Sequence, residues 1–305
     1  MSKARDSQSH MDTQTWAMVL GLSVLWGGSF FFVEIAVEDL PPFTIVLARV
    51  FLAVSALFMG LKILGLRLPR TWAAWKVFLL LGLLNNAIPF SLFVWAQTHI
   101  TGGLAAILNA TTPLFTVVLA HFLIQGERLH TLKLLGIIIG VFGVSVMIGL
   151  DALGSLDNNV LAQLACLAAA LSYALSGILG KKAQKLGQPP LVIATGQLSC
   201  GCLWIAPLVF LVDKPWTLQA PSSSTVAALF GLALLSTSAA YFIYFKVLTK
   251  TSATNLLLVT FLIPISAILL GALILGERLE PNQWVGMIVI GLSLAIIDGR
   301  LFRRK

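Results

Sequence analysis

The chain has 305 residues, 58% of them apolar and only 10% charged, where a soluble domain carries roughly a quarter charged residues; its mean hydropathy is +0.94. That balance excludes a chain built for water throughout, and makes the apolar segment of roughly 20 residues the unit of organisation. The formal net charge of +8 does not indicate a nucleic-acid partner, because lysine and arginine fall in short clusters between apolar runs and not along one stripe.

Residues 1–13 form a polar tail in which Lys3 and Arg5 precede an apolar run. No small-residue cleavage pattern follows before Glu34, so the first segment reads as a helix that is retained. Charge and turn residues then cut the chain into apolar blocks near 14–37, 43–61, 75–97, 102–124 and 132–149. A polar linker at 151–159 leads to blocks near 160–179, 191–211, 225–246, 252–275 and 283–299, with a basic tail at 300–305. Strand-like alternation is absent, so the expected spanning elements are helices, whose backbone groups are satisfied within each segment. The expected fold is therefore an all-α membrane protein of ten transmembrane helices, with units at 14–150 and 160–299.

Orientation follows from the basic residues, which collect in short cytoplasmic loops. With the N-terminus inside, seventeen of the twenty lysines and arginines fall inside, Lys214 and Arg278 fall outside, and Arg49 lies within the second span. Both termini are expected in the cytoplasm, and the linker at 151–159 outside.

The halves echo each other. Gly126-Glu127-Arg128-Leu129 recurs as Gly276-Glu277-Arg278-Leu279, 150 positions on. Pro113 and Pro264 sit mid-helix in the fourth and ninth spans, 151 apart. Pro42 lies seven residues before Arg49 and Pro190 seven before Gln197, an offset of 148. Five spans per half is an odd number, so the second half enters the membrane in the opposite sense. Inverted repeats place a site between two halves that rock to open it to either side.

The Trp26-Gly27-Gly28-Ser29 opening, the Pro42 to Arg49 spacing and the duplicated Gly-Glu-Arg-Leu segments resemble the EamA-type family of the drug/metabolite transporter superfamily over residues 14 to 299. The resemblance implies a ten-helix carrier of the bacterial inner membrane. It also implies a cavity lined by the first four helices of each half, the fifth and tenth being peripheral. It does not single out a substrate, since family members export amino acids, other metabolites or drugs.

Several polar groups fall at membrane depth. Trp26 and Glu34 share a face of the first span, and Arg49 sits two turns into the second from the same side, so the two charges are expected to meet. They then serve either a charged substrate or proton coupling, or a structural ion pair. Asn85 and Asn86 lie in the third span, and Asn109, Thr112, Pro113 and Thr116 form a polar face in the fourth. There a proline removes a backbone donor and frees a carbonyl. Thr260 and Pro264 are the counterparts in the ninth span. The alternative is that these threonines bond their own helix. Thr237, Tyr241 and Tyr244 align on the eighth span, and Tyr173 with Ser176 on the sixth, suiting a cavity for a moderately apolar solute.

Gly136 and Gly140 form a Gly-x-x-x-Gly patch that permits close helix approach, expected to serve internal packing, with dimerisation as the alternative. Cys166, Cys200 and Cys202 lack metal-ligand spacing and read as small buried hydrophobes. No nucleotide-binding loop and no His-Glu-x-x-His pair appears, so neither cofactor nor metal is expected. The leading expectation is a secondary carrier exporting an amino acid or similar metabolite, in contact with membrane lipids and working as a monomer or a dimer. A multidrug or amphipathic-cation exporter is the runner-up, and a membrane-embedded sensor or enzyme the reading from another class.

Overall fold

A computed structural model describes residues 12–124, 131–148, 157–184, 186–250 and 258–298. Their regular structure is helical, with no strand among the described residues. We number the helices α1 (Thr13–Ala36), α2 (Pro42–Ile63), α3 (Trp72–Ala96), α4 (Gly102–Leu123), α5 (Thr131–Ile148), α6 (Asn158–Gln184), α7 (Pro190–Asp213), α8 (Ser223–Tyr244, running on to Lys250), α9 (Val259–Leu275) and α10 (Pro281–Asp298). The first eight are long and apolar enough to cross a bilayer, and the last two are shorter apolar helices. A 22-residue helix such as α2 is about 33 Å long at 1.5 Å per residue, close to the ~30 Å hydrocarbon core.

Local sequence sets the helix ends. Asp12, Thr101, Asp157 and Ser222 each accept a backbone N–H three residues on, at the starts of α1, α4, α6 and α8, which satisfies donors a helix leaves orphaned. Proline opens α2, α7 and α10, where its missing N–H costs nothing. Gly276 ends α9 at φ 71°, a left-handed conformation that glycine adopts without a Cβ penalty.

Helix packing comes in exchangeable pairs. α1 lies against α9 and α6 against α4; α1 against α8 and α6 against α3; α2 against α8 and α7 against α3. α2 with α7, α4 with α9, and α5 with α10 are contacts between counterparts. Glycines let several of these backbones approach closely. A Cβ on Gly27 of α1 would stand 2.7 Å from that of Ser266 on α9, and one on Gly82 of α3 would stand 2.7 Å from the Gln197 carbonyl of α7. Gly136, Gly140 and Gly143 face Ile297, Ser293 and Ile290 of α10, and Ser293 Oγ donates to the Gly136 carbonyl at 2.7 Å. The Gly-x-x-x-Gly patch is thus used inside the chain.

Of four stretches of wider π-helical winding among the described residues, two, Gly82–Ala87 in α3 and Gly231–Ala239 in α8, begin 149 residues apart; the others end α7 (Val209–Asp213) and α9 (Gly271–Leu275). Such winding redirects carbonyls away from their usual partners. Leu84 O takes the Ser172 hydroxyl of α6, and Leu232 O takes that of Thr237. The largest cluster of buried apolar side chains joins α1, α2, α3, α7 and α8, while Phe51, Met59, Phe122, Leu203 and Leu273 stand exposed on the outer faces. An apolar exterior over a packed apolar interior suits hydrocarbon as solvent.

Candidate functional site

Where α2, α3, α6, α7 and α8 converge, the apolar interior is interrupted by a polar group of side chains. Arg49 of α2 is 7% exposed. Its Nε donates to Thr237 Oγ1 on α8 at 3.1 Å, and its guanidinium carbon lies 3.7 Å from the centre of the Phe90 ring on α3. Cation and ring face attract one another, the more so away from water. Thr237 is turned for the purpose, since it gives its own proton to Leu232 O and so keeps its oxygen free to accept from Arg49.

Beside it, the Tyr241 hydroxyl of α8 ties three more helices together. It accepts from Gln197 Nε2 of α7 at 2.6 Å and from Asn85 Nδ2 of α3 at 3.4 Å. Asn85 Oδ1 in turn takes the Ser176 hydroxyl of α6 at 2.9 Å. Tyr173 of α6 stacks on Phe93 of α3 at 6.0 Å, and the Arg49 charge acts on the hydroxyls of both Tyr173 and Tyr241. A buried cation, two amides and two phenols, drawn from both halves of the chain, thus set polar donors and acceptors beside the aromatic faces of Phe90 and Phe93.

The remaining sequence-predicted residues go elsewhere. Arg49 and Glu34 do not pair: Glu34 turns towards the start of α4, where Gly102 and Glu277 are its neighbours, and its Oε2 is buried without a hydrogen-bond partner. The rotation of α1 about its own axis, fixed by the Gly27 contact with α9, carries the carboxylate away from α2. Trp26 packs on Tyr244 at 5.8 Å, and Tyr244 acts electrostatically on Tyr241, so this pair borders the network. Asn86 is fully buried against Gly201 of α7, with neither amide atom hydrogen-bonded. In α4, Thr112 Oγ1 bonds to Asn109 O and Thr116 Oγ1 to Thr112 O, which is the own-helix alternative for these threonines. Pro113 opens the second segment of α4. Pro264 is buried in α9, one turn after Thr260 and next to Ile263, whose carbonyl faces Gly27. Gln197, Thr237 and Ser176 are central here. Their sequence signals were the 148-residue offset from Arg49 for the first, and shared helix faces with Tyr241 and Tyr173 for the others.

At one end of the bundle, carboxylates tie helix starts to the opposite half. Asp39, between α1 and α2, accepts from Ser222 N, Ser222 Oγ and Thr225 Oγ1 at the start of α8. The Ser222 and Thr225 donors hold its carboxyl below the usual carboxylate range. Asp213, ending α7, accepts from Thr44 N at 2.6 Å and Thr44 Oγ1 at 2.8 Å at the start of α2. Glu277 accepts from Gly103 N of α4 at 3.2 Å; burial pushes its carboxyl up, against the opposing pull of the Gly103 and Gly102 N–H groups. Glu127 and Arg128, the matching residues of the first half, lie outside the described residues.

The model of the EamA-like transporter family matches the chain twice, over residues 15–149 and 160–298. The chain belongs to the EamA-like transporter family. It is 30% identical to Protein PecM of Dickeya dadantii, with 92% of this chain and 91% of that protein covered. It is 27% identical to a protein of Escherichia coli named as a probable amino-acid metabolite efflux pump, covering 94% and 95%. A further relative, the inner membrane transporter YedA of E. coli, is 28% identical over 94% of this chain and 92% of its own. A solved crystal structure shares the fold with a TM-score of 0.68 over 97% of this chain and 100% of that one, at 17% identity. This EamA-family chain is accordingly a multi-pass membrane protein of the drug/metabolite transporter type.

Proposed function

We propose that this chain is a secondary transporter of the bacterial inner membrane that exports amino acids or similar small organic metabolites by alternating access. Ten helices span the bilayer as two inverted five-helix repeats, with both termini cytoplasmic. The observation that carries the reading is the buried polar network of Arg49, Thr237, Asn85, Ser176, Gln197 and Tyr241, which draws on both repeats and lies among apolar helices where polar groups are costly. The exchangeable helix contacts, the twofold family match and the paired π-helical stretches support the inverted repeat. The names of the relatives support the inner membrane and metabolite export. The carboxylate ties of Asp39, Asp213 and Glu277 fall at the end that the basic-residue distribution assigns to the outside, so this conformation is closed there.

Flux tests the reading: purified protein in proteoliposomes, loaded in turn with amino acids, their keto and hydroxy acids, nucleobases, sugars and lipophilic cations. Saturable movement of an amino acid or related metabolite, lost in a variant carrying both Asn85→Ala and Tyr241→Ala, is expected. Movement of lipophilic cations alone would replace it with the drug-exporter reading, and no protein-dependent movement of any solute would sink it. Topology has its own check. Alkaline phosphatase fused after Gln219 is expected to be active and fused after Leu68 inactive, and the reverse pattern would overturn the orientation.

A further inference from the structure

Arg49 is a buried cation for which the surrounding helices supply no counter-ion. Residues 40–126 contain no aspartate or glutamate, nor do 158–212 or 214–276, so α2, α3, α6 and α8 are free of acid and α7 has only Asp213 at its last position. That carboxylate is engaged at the start of α2 by both the backbone N–H and the hydroxyl of Thr44. Glu34, the acid inside α1, faces Gly102 and Glu277. The guanidinium keeps its charge at any working pH, and a lone charge at membrane depth marks a functional site whose partner must be named. Among the described residues its side chain makes one hydrogen bond, to the Thr237 hydroxyl, and one ring-face contact, with Phe90. Nε is used by Thr237, and among the described residues neither terminal nitrogen donates to a protein group.

We propose that Arg49 is the anchor for a carboxylate on the transported solute, and that the site prefers net-anionic carboxylic acids to zwitterionic or cationic molecules with the same carbon skeleton. The inference rests on the transporter reading and narrows its substrate class. A guanidinium presents two parallel N–H donors to the two oxygens of a carboxylate, a match that a point-charge ammonium does not make. Thr237 and Phe90 fix the plane of the fork from the far side. The apolar body of the solute then lies along Phe93 and the Tyr173 ring stacked on it. An ammonium on the solute finds no carboxylate on α2, α3, α6 or α8 to pair with, so the α-amino group of an amino acid is desolvated without compensation. The hydroxy or keto acid of the same skeleton avoids that cost.

The test holds the carbon skeleton constant and varies charge: phenyllactate, phenylalanine and phenethylamine in one series, and 2-hydroxy-4-methylpentanoate, leucine and isoamylamine in the other. Thermal shift and proteoliposome counterflow are measured for the wild-type protein, Arg49→Gln and Arg49→Lys. The expected result is binding and flux of the anion in at least one series, at tenfold or more the affinity of its amino acid, with no response to either amine. Arg49→Gln is expected to weaken anion binding about 100-fold, and Arg49→Lys less. Because the charge is unpaired in the empty protein, Arg49→Gln should leave the ligand-free Tm unchanged or raise it, whereas a merely structural arginine would lower it. Equal or better binding of the amines or amino acids, no anion response in either series, or anion binding that survives Arg49→Gln overturns the inference. If other solutes still move in the wider panel, the transporter reading stands without it.

Discussion

At the level of single residues, the Tyr241 hydroxyl carries more than its own weight because two amides on different helices end on it. Tyr241→Phe keeps the ring and removes the oxygen, leaving the buried Gln197 donor and the half-buried Asn85 donor unanswered, at about 1–3 kcal/mol for a fully buried donor. Flux is expected to fall by roughly tenfold while membrane insertion, read by yield and monodispersity in detergent, stays normal; unaltered flux would show that the network is only structural. Asp39 gives a prediction in pH. Its carboxyl is held below the ordinary range by Ser222 and Thr225, so the stabilisation it lends the link to α8 is complete above that ordinary range. That stabilisation is lost as pH falls through the depressed value. Glu277 has the opposite sign: burial raises its carboxyl, so its share of stability is fullest in acid and declines as pH rises from the ordinary glutamate value. An acid-side loss of Tm that disappears in Asp39→Ala is the expected outcome.

Between elements, the decisive contacts are backbone approaches and helix-start ties. The α5–α10 pair meets through glycine on both sides: a Cβ on Gly286 would lie 2.7 Å from Met147 Cβ and 2.8 Å from Gly143 O. Gly286→Val forces these helices apart at about 1–3 kcal/mol, and is expected to lower Tm by several degrees with little effect on substrate affinity, since neither helix supplies a residue to the polar network. Asp213 caps α2 from the other half, and losing such a cap costs about 1 kcal/mol, roughly a fivefold change in a two-state ratio. In a background without Cys166, Cys200 and Cys202, a cysteine at position 237 should react several times faster with an impermeant maleimide from outside once Asp213 is Ala. An unchanged rate would mean that this tie does not hold the outer side closed.

On the scale of the whole molecule, the proposed anionic cargo of Arg49 has a consequence for energetics. The inside-negative membrane potential favours outward movement of an anion by about 2.3 kcal/mol per charge at 100 mV, equivalent to about a 50-fold concentration ratio. Imposing an inside-negative potential on liposomes with valinomycin and potassium is expected to speed anion efflux and slow its entry; indifference to potential would indicate electroneutral movement with a co-transported cation.

The sequence by itself located the apolar segments, in order and to approximate limits, because a bilayer selects long uninterrupted apolar runs. It likewise exposed the internal repeat through Pro42 and Pro190 and the recurring Gly-Glu-Arg-Leu segments, and marked Arg49 as a charge in need of a partner. The partner itself lay beyond it. Arg49 was expected to meet Glu34 because both lie near the same end of neighbouring helices, yet it meets Thr237 and Phe90, 188 and 41 positions away. Which face of a helix meets which neighbour depends on its rotation about its axis. That rotation is set by glycine contacts such as Gly27 on α9 and Gly82 on α7, and by π-helical turns that shift the register by a residue. These are properties of packed helices, absent from any segment read alone, and only the tertiary structure decided them.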